Sequence, residues 1–152
     1  MLLGIDIGTS SAKAIVFDPQ KNMIHAVASK EYAVNRPQPQ YAEQNPEDWW
    51  QAVVEITQNV LETAGTRDIR AIGITGQMHG TVFLGADGSV KHPAVIWADQ
   101  RSANSLPEML QCVSPERYTA VTGTMPAAGF MAATLYWFAK HNPVILEQTQ
   151  HV

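Results

Sequence analysis

Asn45-Pro46-Glu47-Asp48 is a helix start: an Asn cap, proline at the first helical position and acids in the first turn. Trp49, Val53, Ile56, Val60 and Ala64 follow at helical spacing, and Gly65 ends the run. This helix stands between strand-like stretches, and that alternation limits the folds open to the chain. Before it come Leu2–Ile7, Ala12–Phe17 and Met23–Ala33, the last two separated by the turn residues Asp18-Pro19-Gln20-Lys21-Asn22. After it comes Ile69–Thr75, placed where a crossover would return the chain to the sheet and apolar enough to read as buried. The pattern predicts a three-stranded antiparallel meander joined to a crossover strand, that is, an α/β fold on a mixed sheet. Arg36–Gln44, polar and broken by proline, reads as a surface crossing.

Further along, Thr81–Leu84 and Val90–Trp97 flank Ala86-Asp87-Gly88-Ser89 as a hairpin and its continuation. Beyond Arg101 the chain reads as mainly helical: Ser102–Val113, a short turn from Ser114, Phe130–His141, and a piece after Pro143. Tyr118–Ala139 carries no charge and is long enough for a membrane span, but its threonines, glycines and Pro126 leave no continuous apolar face. It reads as a buried loop followed by a core helix, which makes the expected protein soluble and cytoplasmic.

With 152 residues, 45% of them hydrophobic and 16% charged, the chain can build a core and is about one domain long. The net charge of −4, without blocks of like charge, gives no footing for nucleic-acid or anionic-membrane binding. A single cysteine, Cys112, excludes an internal disulfide framework and a multi-cysteine metal site, and it lacks the neighbours that would activate a thiol. The start, MLLGIDIGTS, has no basic region and is not a signal peptide. Neither a P-loop, a dinucleotide fingerprint nor a Gly-x-Ser-x-Gly elbow occurs.

Three segments carry candidate chemistry. Asp6-Ile7-Gly8-Thr9-Ser10-Ser11-Ala12-Lys13 lies between the first two strands. Glycine lets the backbone approach an anion, three hydroxyls and Lys13 add donors, and Asp6 suits Mg²⁺ directly or through water. The alternative is an ordinary hairpin turn with a capping aspartate. Gly76-Gln77-Met78-His79-Gly80 follows a strand end, where open α/β sheets usually bind ligands. Its amide and imidazole suit hydroxyls, or else they satisfy a local turn. Trp97-Ala98-Asp99-Gln100-Arg101 combines an indole face with a carboxylate and a guanidinium, which suits a polyhydroxylated ligand. The competing reading is a structural Asp–Arg pair beside a core tryptophan. Trp137 and at least one of Trp49 and Trp50 read as core.

In this order and spacing the three segments resemble the N-terminal half of the FGGY carbohydrate kinases, and Pro37–Trp50 resembles the family's approach to its first helix. The resemblance runs over essentially the whole chain. It implies a ribonuclease-H-like (actin-like ATPase) mixed sheet with flanking helices, an N-terminal domain left incomplete at Val152. It also implies ATP and Mg²⁺ as cofactors. Gly8, Thr9, Ser10, Ser11 and Lys13 would then meet the ATP phosphates, and Asp6 would support the metal. Gln77, Met78, His79, Trp97, Asp99 and Arg101 would contact the sugar. Gln-Met-His points to D-xylulose rather than glycerol, whose kinases usually carry Gln-Arg-Glu there. Ala98, Thr124 and Thr134 depart from the asparagine, asparagine and lysine common in the family.

The resemblance places the catalytic base and the second, adenosine-binding domain beyond Val152, so turnover by these 152 residues alone is not expected. It leaves room for a homodimer. Two alternatives stand beside it: a kinase of the same family acting on ribulose, gluconate or glycerol, and a non-catalytic sugar-binding or assembly module if the chain ends naturally at Val152.

Overall fold

The computed structural model describes residues 1–152. In chain order the elements are β1 (Leu2–Ile7), β2 (Ser11–Asp18), β3 (Met23–Glu31), β4 (Glu43–Gln44), α1 (Pro46–Ala64), β5 (Ala71–Gly76), β6 (Thr81–Leu84) and β7 (Val90–Val95). Four helices follow: α2 (Leu106–Cys112), α3 (Pro115–Thr122), α4 (Met131–His141) and α5 (Pro143–Glu147). They divide into two units, Met1–Val34 with Glu47–Gln77, and Asn35–Pro46 with Met78–Val152.

The first unit is a four-stranded sheet in the order β3-β2-β1-β5. β1 and β2 pair antiparallel, as do β2 and β3, while β5 returns parallel to β1. This is the expected meander with its crossover. Alternation puts Leu3, Ile5, Ala12, Ala14 and Val16 on one face, where Ala52, Ile56 and Val60 of α1 cover them. The predicted helix begins and ends where its signals lie, with Gly65 in the left-handed region at φ 62°. β5 departs from expectation. Ile72 and Ile74 are 58% and 70% exposed. Their partners Leu3 and Ile5 lie under α1, so β5 is the sheet's edge beyond the helix's cover.

The second unit holds a three-stranded antiparallel sheet, β4-β7-β6. Gly88 (φ 75°) and the Asp87 carboxylate, which accepts the Ser89 N–H at 3.0 Å, shape the predicted hairpin turn. Phe83 and Val95 pack on Phe138 of α4, all fully buried. Two expectations fail here. Arg36–Gln44 is not a surface crossing throughout, because Ala42, Glu43 and Gln44 are buried and β4 pairs with β7. The polarity that suggested solvent is satisfied internally, as described below. The turn predicted at Ser114 is a helix, α3: Ser114 Oγ accepts the Arg117 N–H, Pro115 opens it and Gly123 (φ 72°) closes it. α3 has no buried residue, so Tyr118–Thr122 is an exposed helix rather than a buried loop. No helix is long and apolar enough to cross a membrane.

Two stability predictions follow from the first unit. Ile56 is fully buried against the sheet, and Ile56→Ala should destabilise by about 2–5 kcal/mol in denaturant titration. Burial pushes the Asp18 carboxyl up, but N–H groups of Lys21 and Gln20, with the charges of Lys21 and His25, outweigh it and hold its pKa below the usual value. A lowered folded pKa means that the contribution is present above the unfolded pKa and lost as pH falls through the folded one. Asp18→Asn should therefore flatten the acid limb of the stability–pH curve; an unchanged limb would assign it to other carboxyls.

Candidate functional site

In the first unit, Asp6 and Gly76 lie at the C-terminal ends of the parallel strands β1 and β5, the edge at which α/β sheets bind ligands. The turn from β1 to β2 is closed by Gly8 N–H donating to Ser11 O at 3.0 Å. Gly8 packs tightly: a Cβ there would come within 3.1 Å of Ser11 O and 3.6 Å of the Asp6 carboxylate. Since the Gly8 N–H is engaged within the turn, the side chains of Thr9, Ser10, Ser11 and Lys13 are the natural donors to an anion. Asp6 and Lys13 are direct cross-strand partners and so share one face, with Thr75 beside Asp6 on β5.

That face carries an open concavity of about 370 Å³ between Asp6, Lys13, Ile15 and Thr75. Gly4 and Gly73, partners across β1 and β5, form part of its lining and lower its floor by lacking side chains. The concavity is mostly apolar, with Asp6, Lys13 and Thr75 as its polar groups beside Ile5, Ile15 and Ile74; no cluster of three metal-ligating side chains is present, and a lone carboxylate suits only a Mg²⁺ that keeps its waters and substrate phosphates. Sequence reasoning missed Tyr32. Its hydroxyl donates to Gly8 O and its N–H donates to Ser10 O at 3.2 Å, so it latches the turn from β3. Burial and the Asp6 charge both hold the phenol above its usual pKa, which keeps it a donor. The only sequence signal for it was an aromatic at the end of a strand.

Gln77 ends the first unit, its N–H donating to Ile7 O at 2.8 Å as the last rung between β1 and β5. In the second unit Met78 is 72% exposed and His79 is exposed with φ 65°, in the left-handed region that few residues other than glycine enter, histidine among them. Phe130 stacks on the His79 imidazole, with centroids 3.8 Å apart and planes 8° from parallel. Both rings border a cavity of about 470 Å³ that Tyr118, Thr122, Thr124 and Leu135 also line.

Trp97 is 48% exposed, but Asp99 and Arg101 are only 1% and 6% exposed. Arg101 Nη2 donates to Glu43 Oε1 at 2.6 Å and to Asp99 Oδ2 at 2.8 Å, and Nε donates to Asp99 Oδ1 at 3.0 Å. Asp99 Oδ2 also accepts the Ala42 N–H at 2.7 Å. The guanidinium lies 3.8 Å above the Tyr41 ring, with Trp137 on another side at 5.4 Å. Burial works against the charge, but the bonds from Asp99 and Glu43 outweigh it and raise the Arg101 pKa. Asp99 and Arg101 are thus engaged with each other and with the 41–44 segment. Trp49 is half-buried and Trp50 exposed, and Trp137 is half-buried.

The family model for the N-terminal domain of the FGGY family of carbohydrate kinases matches residues 1–152. The chain belongs to the FGGY family. Among these kinases it is 37% identical to the xylulose kinase of Escherichia coli K12 over its whole length, covering 31% of that protein. It is 32% identical over 98% of its length to a glycerol kinase of Thermococcus kodakarensis, covering 30% of it. The crystal structure of xylulose kinase from Rhodospirillum rubrum superposes with a TM-score of 0.91 at 30% identity, covering 97% of this chain and 30% of that one. The fold is therefore the actin-like α/β fold expected for this family. The chain spans about a third of the length of the FGGY kinases it matches.

Removing Arg101 takes the guanidinium from two buried carboxylates, leaving Glu43 with His92 at 3.9 Å and Asp99 with backbone N–H groups. Arg101→Ala should cost about 3–5 kcal/mol by denaturant unfolding, as broken buried ion pairs do. Arg101→Lys keeps the charge but not the planar fork, and should recover only part of that loss; full recovery would show that the fork is not needed.

Proposed function

We propose that this chain forms the N-terminal part of an ATP-dependent sugar kinase that transfers the γ-phosphoryl group to a hydroxyl of D-xylulose. What carries the reading is the Gln77-Met78-His79 segment, with Met78 and His79 exposed just past the C-terminal end of a parallel strand. The xylulose kinases among its relatives support the choice of sugar. Gln77, Met78 and His79 bind and orient the sugar: amide and imidazole meet hydroxyls, and the thioether covers the carbon skeleton. Trp97 supplies an exposed indole face, and Asp99 and Arg101 contribute by fixing the loop that carries it.

On the other side of the reaction, Thr9, Ser10 and Ser11 donate hydroxyl hydrogen bonds to phosphate oxygens, Gly8 lets the turn come close, and Lys13 balances charge. Asp6 would hold Mg²⁺, directly or through its waters. Magnesium, when bound, neutralises phosphate charge. Phosphoryl transfer asks little covalent work of a protein, so these residues act by positioning and charge. The base that accepts the sugar hydroxyl proton is supplied from outside these residues.

The test uses the full-length kinase carrying this chain, with Mg²⁺-ATP and a panel of D-xylulose, ribulose, gluconate and glycerol. Xylulose should give the highest kcat/KM, and a preference for glycerol or gluconate would replace the substrate assignment. Asp6→Ala should lower kcat by about 10²-fold or more with a small change in sugar KM, since it removes charge balance needed in transfer. His79→Ala should instead raise the sugar KM, by about tenfold for a lost hydrogen bond. Wild-type kinetics in either variant would remove that residue from the site.

A further inference from the structure

His79 stands on a loop between two strands with its side chain exposed, and an exposed side chain loses rotamer freedom when a ligand fixes it. The second unit supplies a brace from a distant part of the chain. Phe130 is the residue preceding α4 and lies flat against the His79 ring, 3.8 Å away and 8° from parallel. Stacking constrains the plane of the imidazole without using its nitrogens, so both edges remain open to hydroxyls.

Phe130 is itself held by the residue before it. Gly129 has φ 77°, and a Cβ there would lie 2.3 Å from Trp97 O and 2.8 Å from Asp99 O. Its N–H donates to the buried Ser102 Oγ at 3.4 Å. The loop before α4 is thus seated against the backbone of the 97–102 loop, and that seat sets where Phe130 stands. Thr134 N–H then donates to Phe130 O at 3.0 Å, tying the same residue to the first turn of α4.

We propose that Phe130 is a positioning residue that fixes the His79 imidazole for sugar binding, held in place by the fit of Gly129 against the Trp97 carbonyl. The inference rests on the reading that His79 meets the sugar. Phe130 acts on sugar affinity and not on ATP.

The test compares Phe130→Leu, Phe130→Tyr, His79→Ala and the Phe130→Leu/His79→Ala pair in the full-length kinase. Phe130→Leu should raise the sugar KM about three- to tenfold, the range an aromatic contact of this kind supplies. The KM for ATP should stay unchanged, and Phe130→Tyr, which keeps the stack, should behave as wild type. The double variant should be no worse than His79→Ala alone, because Phe130 acts only through His79. Additive losses, or an unchanged sugar KM in Phe130→Leu beside a raised one in His79→Ala, overturn the proposal and leave the role of His79 standing. An unchanged sugar KM in His79→Ala overturns both. Phe130→Met, which fills the space without a π face, takes the place of a leucine variant that does not fold. Independently of any variant, the His79 ring protons of the wild-type protein should resonate upfield from ring current; ordinary shifts would show that the stack is not formed in solution.

Discussion

The second unit depends on one buried cation. Arg101 joins three stretches that the backbone leaves apart: the 41–44 segment through Glu43 and Tyr41, its own loop through Asp99, and α4 through Trp137 and Phe138. A guanidinium out of water is costly unless its donors are met, and here carboxylates accept from Nε and Nη2 while aromatic rings lie over the group. Asp99 extends the arrangement to the backbone by accepting N–H groups from Ala42 and Arg101. The charged groups form a joint that is planar, directional and intolerant of slippage. An apolar cluster at the same place could contribute equal stability without specifying which loop lies where.

That joint explains what the sequence made legible and what it hid. α1, the β1–β2–β3 meander and the parallel return of β5 were readable because local signals and burial agree there: the cap at Asn45, the apolar spacing through Val60, and Gly65. β4 was hidden because its residues, Glu43 and Gln44, look like solvent-facing polar residues. The Glu43 carboxylate is met by a partner 58 positions away and Gln44 pairs with Ala94 of β7, neither of which a local pattern announces. The same long-range pairing makes Asp99 and Arg101 read equally well as ligand groups or as a structural pair. The structure shows them buried in the pair. α3 was missed because Thr122 and Gly123 look like loop residues, although Ser114 and Pro115 before them are helix-start chemistry.

The turn between β1 and β2 was legible for a different reason. Its candidate ligand groups are local: Asp6 and Lys13 become cross-strand neighbours through a single short turn. Hairpin register alone then puts a carboxylate and an ammonium side by side on one face. What stayed hidden was the support, Tyr32, which reaches the turn from the third strand. The pattern is the same in both units: the candidate ligand residues stand in short motifs, and the residues that hold them come from elsewhere in the chain.

Backbone strain adds a last step. Three residues other than glycine have positive φ: Asn22, Gln40 and His79. Asn22 lies in a turn and is of a type that tolerates the region. Gln40 is fixed beside the Arg101 joint, its carbonyl accepting the Gln100 N–H at 2.7 Å. Histidine enters this region more often than most residues, although glycine would occupy the same backbone position without a cost of about 1 kcal/mol or more. At His79 the side chain that accompanies this backbone is an imidazole held flat by an aromatic ring, so local conformation and a contact 51 positions away together set where the ring lies.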